Sequence, residues 1–282
     1  TMSKLSSDSL FHFTGEIKTL FKILLNGIRP SYCIEDYAML YNQKKAAFLL
    51  AVPMSCFCDI PLSQINNHTS TYGNYGLGLK KSWGEKHGIT PVAYVYKNSM
   101  WVKQLEELFE IFAKYIPEIK DKSLISSNGS IKTYDGKSVH LKNIDAFSNN
   151  YRYIFSFIKP YEGTLFRLEK KNKANVKFYD EKEWRYVPLG IIPQFVFAKS
   201  YQNMMDTGLD EEIKSYTENI EKHYMLRFNV EDINHIILRS DSEKADLVGF
   251  IDQNPGLYDA VPGFRDILLT KVQTLEKLKI DY

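Results

Sequence analysis

Cysteine is scarce, three in 282 residues, and an odd count suits a reducing compartment better than a disulfide framework. No apolar run approaches the roughly 18 residues that a membrane span needs. Residues 1–10 hold no basic region followed by an apolar one, so neither a membrane segment nor a secretory leader is expected, and a cytoplasmic location is. An excess of either charge is also missing. Thirty-six Lys and Arg face 34 Asp and Glu, which leaves no footprint for nucleic acid beyond a local patch. There is no internal repeat, no Gly-x-Ser-x-Gly, no His-x-x-x-His and no Gly-x-Gly-x-x-Gly, which argues against hydrolase, metalloprotease and dinucleotide-fold readings. Cys56-x-Cys58 is too close for a zinc knuckle, so buried thiols and no bound metal are expected.

What the chain does contain is a mixture of strand and helix signals. Ser9 to Phe13 reads as a strand, with Thr14 as N-cap of a helix over 16–26 that Asn26-Gly27 stops. A strand follows over 51–60, then a short polar helix carrying His68, and then Tyr72-Gly-Asn-Tyr-Gly-Leu-Gly78, whose glycines allow a ligand's close approach or a sharp bend. A helical stretch over 80–87 and a strand over 91–96 come next. Trp101, Leu105, Leu108, Phe109 and Phe112 mark an amphipathic helix over 99–115. Residues 120–143 read as an insertion, a hairpin or loop, and 144–158 as a second helix. Later segments suggest a helix over 210–223, strands over 224–228 and 235–239, a helix over 242–251, and a strand plus helix within 267–280. The expected architecture is a single α+β domain over 1–282, with its core at 9–190 and a looser portion over 191–282.

The stretch Phe178 to Pro188 sets Glu181 and Glu183 two residues apart among aromatic and β-branched residues. On a strand both carboxylates face one side, either a cleft or a solvated edge. Taken singly, His12 reads as a hydrogen-bonded structural histidine, and Tyr72 and Tyr75 as packing aromatics.

Four runs carry a resemblance: Phe11-His-Phe-Thr14, Val52 to Leu62, His68 to Gly78 and Glu183-Trp-Arg-Tyr-Val187. Through them the first 190 or so residues resemble the AbiGi-like family of bacterial abortive phage infection proteins. More distantly, their order resembles the ADP-ribosyltransferase fold, in which mixed or antiparallel sheets with flanking helices surround a central cleft. That resemblance implies NAD as a substrate and no metal. His12, with Thr14 beside it, would hold the adenosine ribose, and Tyr72 and Tyr75 would stack on nicotinamide. Glu183 would bind the nicotinamide ribose, Glu181 would guide the acceptor, and Arg29 or Arg185 would pair with the pyrophosphate. Arg185 shares a face with Glu183 and has carboxylate pairing as its other reading.

The chemistry fits these residue types, because a fixed carboxylate opposes the positive charge of an oxocarbenium-like state and aromatic faces hold a planar cation. The expected role is ADP-ribosyl transfer to a macromolecular acceptor, protein or nucleic acid. The alternative is a noncatalytic antitoxin, or other partner of a cognate toxin or antitoxin, on the same scaffold. A third reading, nucleic-acid binding through Lys80-Lys81, Lys170 to Lys173 and stacked tyrosines, competes with dispersed surface lysines. No membrane partner is expected.

Overall fold

The computed structural model describes residues 7–38, 49–108, 130–132, 138–140, 150, 153–168, 171–191, 196–198, 201–258 and 261–281. They form an α+β structure with a mixed sheet. Its strands, in chain order, are β1 (Ser9–Thr14), β2 (Ser31–Asp36), β3 (Leu49–Cys58), β4 (Tyr75–Lys80), β5 (Thr90–Pro91), β6 (Ala93–Val95), β7 (Ser130–Lys132), β8 (Ser138–His140), β9 (Ile158–Pro160), β10 (Gly163–Leu165), β11 (Lys173–Val176), β12 (Glu183–Tyr186), β13 (Val196–Ala198), β14 (Ile233–Leu238) and β15 (Val272–Thr274). The main sheet runs β15-β14-β4-β1-β3-β12-β5, with β2 and β13 also bonded to β3. All its pairs are antiparallel except β14 with β15.

Strand β3 organises the sheet because it is long enough to carry different ladders along its length. Residues 49–54 pair with β2, 49–51 also with β13, 55–58 with β12, and Cys58 with Phe11 of β1. Its apolar run of Leu49, Leu50, Ala51, Val52 and Met54 is buried throughout, as expected of an interior strand covered on both faces. Beside it, β1 pairs with β4 over its whole length, from Ser9↔Lys80 to Thr14↔Tyr75.

That register explains the glycine block. Gly78 and Gly76 lie opposite Phe11 and Phe13, and a Cβ at either would come within 2.7 or 2.8 Å of the facing ring. Gly76 and Gly78 thus make room for aromatic rings of this chain rather than for a ligand, while Gly73, with φ 127° and the Thr14 carbonyl pressed against it, makes the sharp bend into β4.

Helix α1 (Ile17–Asn26) buries Leu20, Ile23 and Leu24 and ends at Gly27, whose φ of 86° is in the left-handed region. Thr14 does not cap it. Thr14 is the last residue of β1, and the N-cap Glu16 makes no side-chain cap bond. Helix α2 (Ile65–Tyr72) carries His68, and α3 (Lys81–Lys86) follows β4.

Several expectations shift. The stretch over 91–96 splits into β5 and β6, and β6 pairs in parallel with β9 instead of joining the main sheet. Ile158 starts that strand rather than ending a helix. In the helix over 100–108, Val102 and Leu105 face the core while Trp101 and Leu108 are exposed. The remainder of that predicted helix, most of the one over 144–158, and most of the insertion over 120–143 lie outside the described residues. Within the insertion β7 and β8 do form a hairpin. No regular strand spans 224–228, where Leu226 makes an isolated bridge to Ile28.

Toward the C-terminus come α4 (Tyr201–Asp206), α5 (Leu209–Glu218), α6 (Lys244–Gln253), α7 (Phe264–Thr270) and α8 (Leu275–Asp281). Ser240 and Glu243 form a capping box before α6. Strand β14 inserts beside β4, and Ile236, Leu247 and Leu268 share a core with Leu10, Leu24 and Leu77.

Candidate functional site

Where β3 exchanges one set of partners for the next, a cleft of about 570 Å3 opens. Such a volume is within the range of small-molecule sites. His12 of β1, Cys56 to Cys58 of β3, His68 and Tyr72 of α2, and Glu181 and Glu183 all line it. Residues separated by about 170 positions in sequence thus meet.

The two glutamates arrive together by a different route from the one their spacing suggests. Strand β12 begins only at Glu183, while Phe178–Glu181 is a 3-10 turn closed by Lys182 in the left-handed conformation (φ 44°). They converge on Lys159 of β9, at 3.1 Å from Glu181 and 2.6 Å from Glu183. Arg185, with no exposed surface, bonds Glu183 at 2.7 Å, Glu35 at 2.7 Å and the Ser156 carbonyl at 2.6 Å. Three buried carboxylates therefore share two buried cations.

This sharing separates the two glutamates electrostatically. Burial works to raise the Glu183 pKa, but the Arg185 and Lys159 charges overcome it and hold the carboxyl below the usual carboxylate range. Glu181 goes the other way: burial raises it, and Lys159 opposes that only in part. Tyr72 donates its hydroxyl to Glu181, and the Glu183 backbone N–H donates to the Tyr94 hydroxyl at 2.7 Å. One carboxylate is fixed as an anion beside one poised to take up a proton, a division suited to acid–base work.

The His12 Nδ1 lies 2.9 Å from the Cys56 carbonyl, which can only accept, so Nδ1 carries the proton and Nε2 is left as an acceptor. Burial lowers the His12 pKa, keeping the ring neutral. His68, pushed down to about 4 by burial, lies between the Phe13 and Tyr72 rings at 5.9 and 5.0 Å. Arg29, Arg167 and Lys214 also line the cleft, and Arg167 is anchored by the Thr71 carbonyl at 2.9 Å.

Of the predicted residues, His12, Tyr72, Arg29, Glu181 and Glu183 line this cleft, whereas Thr14 and Tyr75 do not. Tyr75, the first residue of β4, is buried in the core and donates to Glu243 at 2.7 Å. Arg185 takes its carboxylate-pairing alternative, since full burial and its bonds to Glu183 and Glu35 remove it from any phosphate. Lys81 is likewise engaged, with Asp59 at 2.7 Å. Sequence reasoning missed Glu35, Lys159, Arg167 and the cleft-facing role of His68. A charged Glu35 at the end of the apolar run Tyr32 to Ile34 was the available signal for the first.

The model of a family described as "Putative abortive phage resistance protein AbiGi, antitoxin" matches residues 26–239. The chain belongs to the AbiGi family. Among relatives, it is 29% identical over 245 residues to the abortive phage resistance protein AbiGi of Lactococcus lactis subsp. cremoris, covering 82% of this chain and 89% of that protein. No solved structure matches the chain. The AbiGi match takes in α2, β3, β12 and Lys159, but begins after His12. Among the described residues, no helix is long and apolar enough to cross a membrane.

Proposed function

We propose that this AbiGi-family protein contributes to abortive phage resistance as an NAD-dependent ADP-ribosyltransferase. The observation that carries this is the meeting of His12, Tyr72, Glu181 and Glu183 in one cleft. The charge layout also supports it, with carboxylates, guanidinium and ammonium groups in the same lining. NAD offers the complement, a cationic nicotinamide and an anionic pyrophosphate. Arg29 and Arg167 suit the pyrophosphate, the Tyr72 and His68 rings the nicotinamide, and the His12 Nε2 a ribose hydroxyl. In the reaction, the bond from ribose C1′ to the nicotinamide nitrogen breaks and its electron pair leaves with nicotinamide. An acceptor lone pair closes on C1′ and the acceptor's proton passes to Glu181. Glu183 opposes the developing positive charge. Arg185 and Lys159 occupy both its oxygens, so its field acts first, and a direct bond to the ribose requires Lys159 to yield.

Calorimetry with NAD, together with transfer of labelled ADP-ribose in an extract of infected cells, tests this. Binding and transfer are expected, with transfer lost in Glu181→Gln. Absence of both removes the enzymatic reading. A second reading, favoured by the word antitoxin in the family description, is protection by binding a cognate toxin. It predicts that Glu181→Gln still protects cells against phage and still relieves toxin-dependent growth arrest.

A further inference from the structure

Glu35 of β2 is the third carboxylate of the buried cluster, paired with Leu50 of β3 in the ladder and 9% exposed. The Arg185 Nη2 bonds Glu35 at 2.7 Å but reaches Glu183 Oε2 only at 3.2 Å, so the guanidinium fork is shared between two carboxylates instead of closing on one. Lys159 completes the coordination of that oxygen. Its ammonium lies 2.6 Å from Glu183 Oε2, 3.1 Å from Glu181 and 4.0 Å from Glu35.

Two cations cannot neutralise three carboxylates, which favours a proton on one of the three. Glu181 has the weakest hold on the cations: among the described residues its ion pair is the 3.1 Å contact with Lys159, and its other oxygen takes the Tyr72 hydroxyl. Glu183 of β12, Tyr94 of β6 and Cys58 of β3 also face it, and none of them adds a positive charge. Glu35 faces Tyr37 and Cys33 besides the two cations. Without the charge on Glu35, two cations would meet two carboxylates. Arg185 would then close its fork on Glu183, and Lys159 would pass to Glu181.

We propose that Glu35 is a positioning residue: by drawing off one arm of Arg185 it keeps Lys159 on Glu183, and so leaves Glu181 as the carboxyl that takes up a proton. Its part in transfer rests on the NAD reading, in which Glu181 receives the acceptor's proton. The placement of the proton does not rest on that reading, and a titration without NAD detects it.

Carbon-13 NMR of the glutamate side-chain carboxyls in the full chain, followed from about pH 3 to 8, tests this, with Glu35→Gln, Glu181→Gln and Glu183→Gln assigning the resonances. In the wild type Glu181 is expected to take up a proton before the other two. In Glu35→Gln, which keeps an oxygen acceptor for Arg185, that uptake is expected at a pH lower by about one unit, a tenfold gain in acidity. Where transfer occurs, the acid limb of its kcat/KM profile moves with it. A role for Glu35 in packing alone would leave the titration in place. An unmoved or raised Glu181 midpoint in Glu35→Gln overturns the proposal. So does a wild-type proton held by Glu35 or Glu183 in place of Glu181, an outcome that does not depend on how the variant folds. A lowered midpoint in a protein that neither binds NAD nor transfers ADP-ribose sustains the role of Glu35 and removes only the enzymatic reading.

Discussion

Arg185 illustrates how much one side chain here does for its neighbours. Among the described residues it is the largest side chain with no exposed surface, and its guanidinium serves Glu183, Glu35 and the Ser156 carbonyl in three directions. A planar fork can do this, whereas a lysine point charge cannot. Arg185→Ala leaves three buried carboxylates to Lys159 alone. Removing one partner of a buried ion pair costs about 3 to 5 kcal/mol, so urea denaturation should show a loss of that order, not recovered by Arg185→Lys. An unchanged midpoint would mean that water replaces the guanidinium. At this scale the sequence offered Arg185 two partners, phosphate or carboxylate, and only burial chose between them.

At the scale of elements, the pairing of β1 with β4 depends on glycine. Phe11 is 1% exposed, stacks on His235 at 5.5 Å and lies over Gly78, where an added Cβ would stand 2.7 Å from the ring. The ring is enclosed and cannot step aside. Gly78→Ala should therefore destabilise the protein by about 1 to 3 kcal/mol, the usual cost of overpacking, despite alanine's better backbone entropy in a strand. Thermal unfolding of the variant checks this, and a stabilised variant would refute the ring-over-glycine packing. Strands β1 and β3, helix α1 and the Ser240 cap were legible because their signals are local: alternation, apolar spacing, a stop glycine and a capping box. The glycine block was legible as unusual but not in purpose, since its partner rings come from a strand more than sixty residues away.

The response to acid belongs to the whole molecule. Burial lowers the pKa of both His12 and His68, the latter to about 4 from 6.5. Between those values the unfolded chain binds protons that the folded one refuses, so stability falls as pH drops from about 6.5 to about 4. Glu181 has the opposite sign. Its raised folded pKa lets the native state take up a proton first, adding stability as pH falls toward 4.5. His68 alone contributes a loss on the order of 3 kcal/mol across its window. Unfolding free energies measured by urea at several pH values should show this fall, and His68→Asn should flatten it. An unaltered slope in the variant would place the titration elsewhere.

By itself the sequence determined the class of structure and the family, because periodicity, composition and short distinctive runs survive without coordinates, whereas the expected buried thiols reduce to Cys58, since Cys33 and Cys56 are half-buried and line the cleft. It also brought His12, Tyr72, Glu181 and Glu183 forward together. What only the tertiary structure decided is which charges those residues meet. Lys159, Glu35 and Arg185 converge from three separate strands, and the pKa of a carboxyl is set by its neighbours in space through burial and Coulomb forces. No spacing along the chain encodes that meeting.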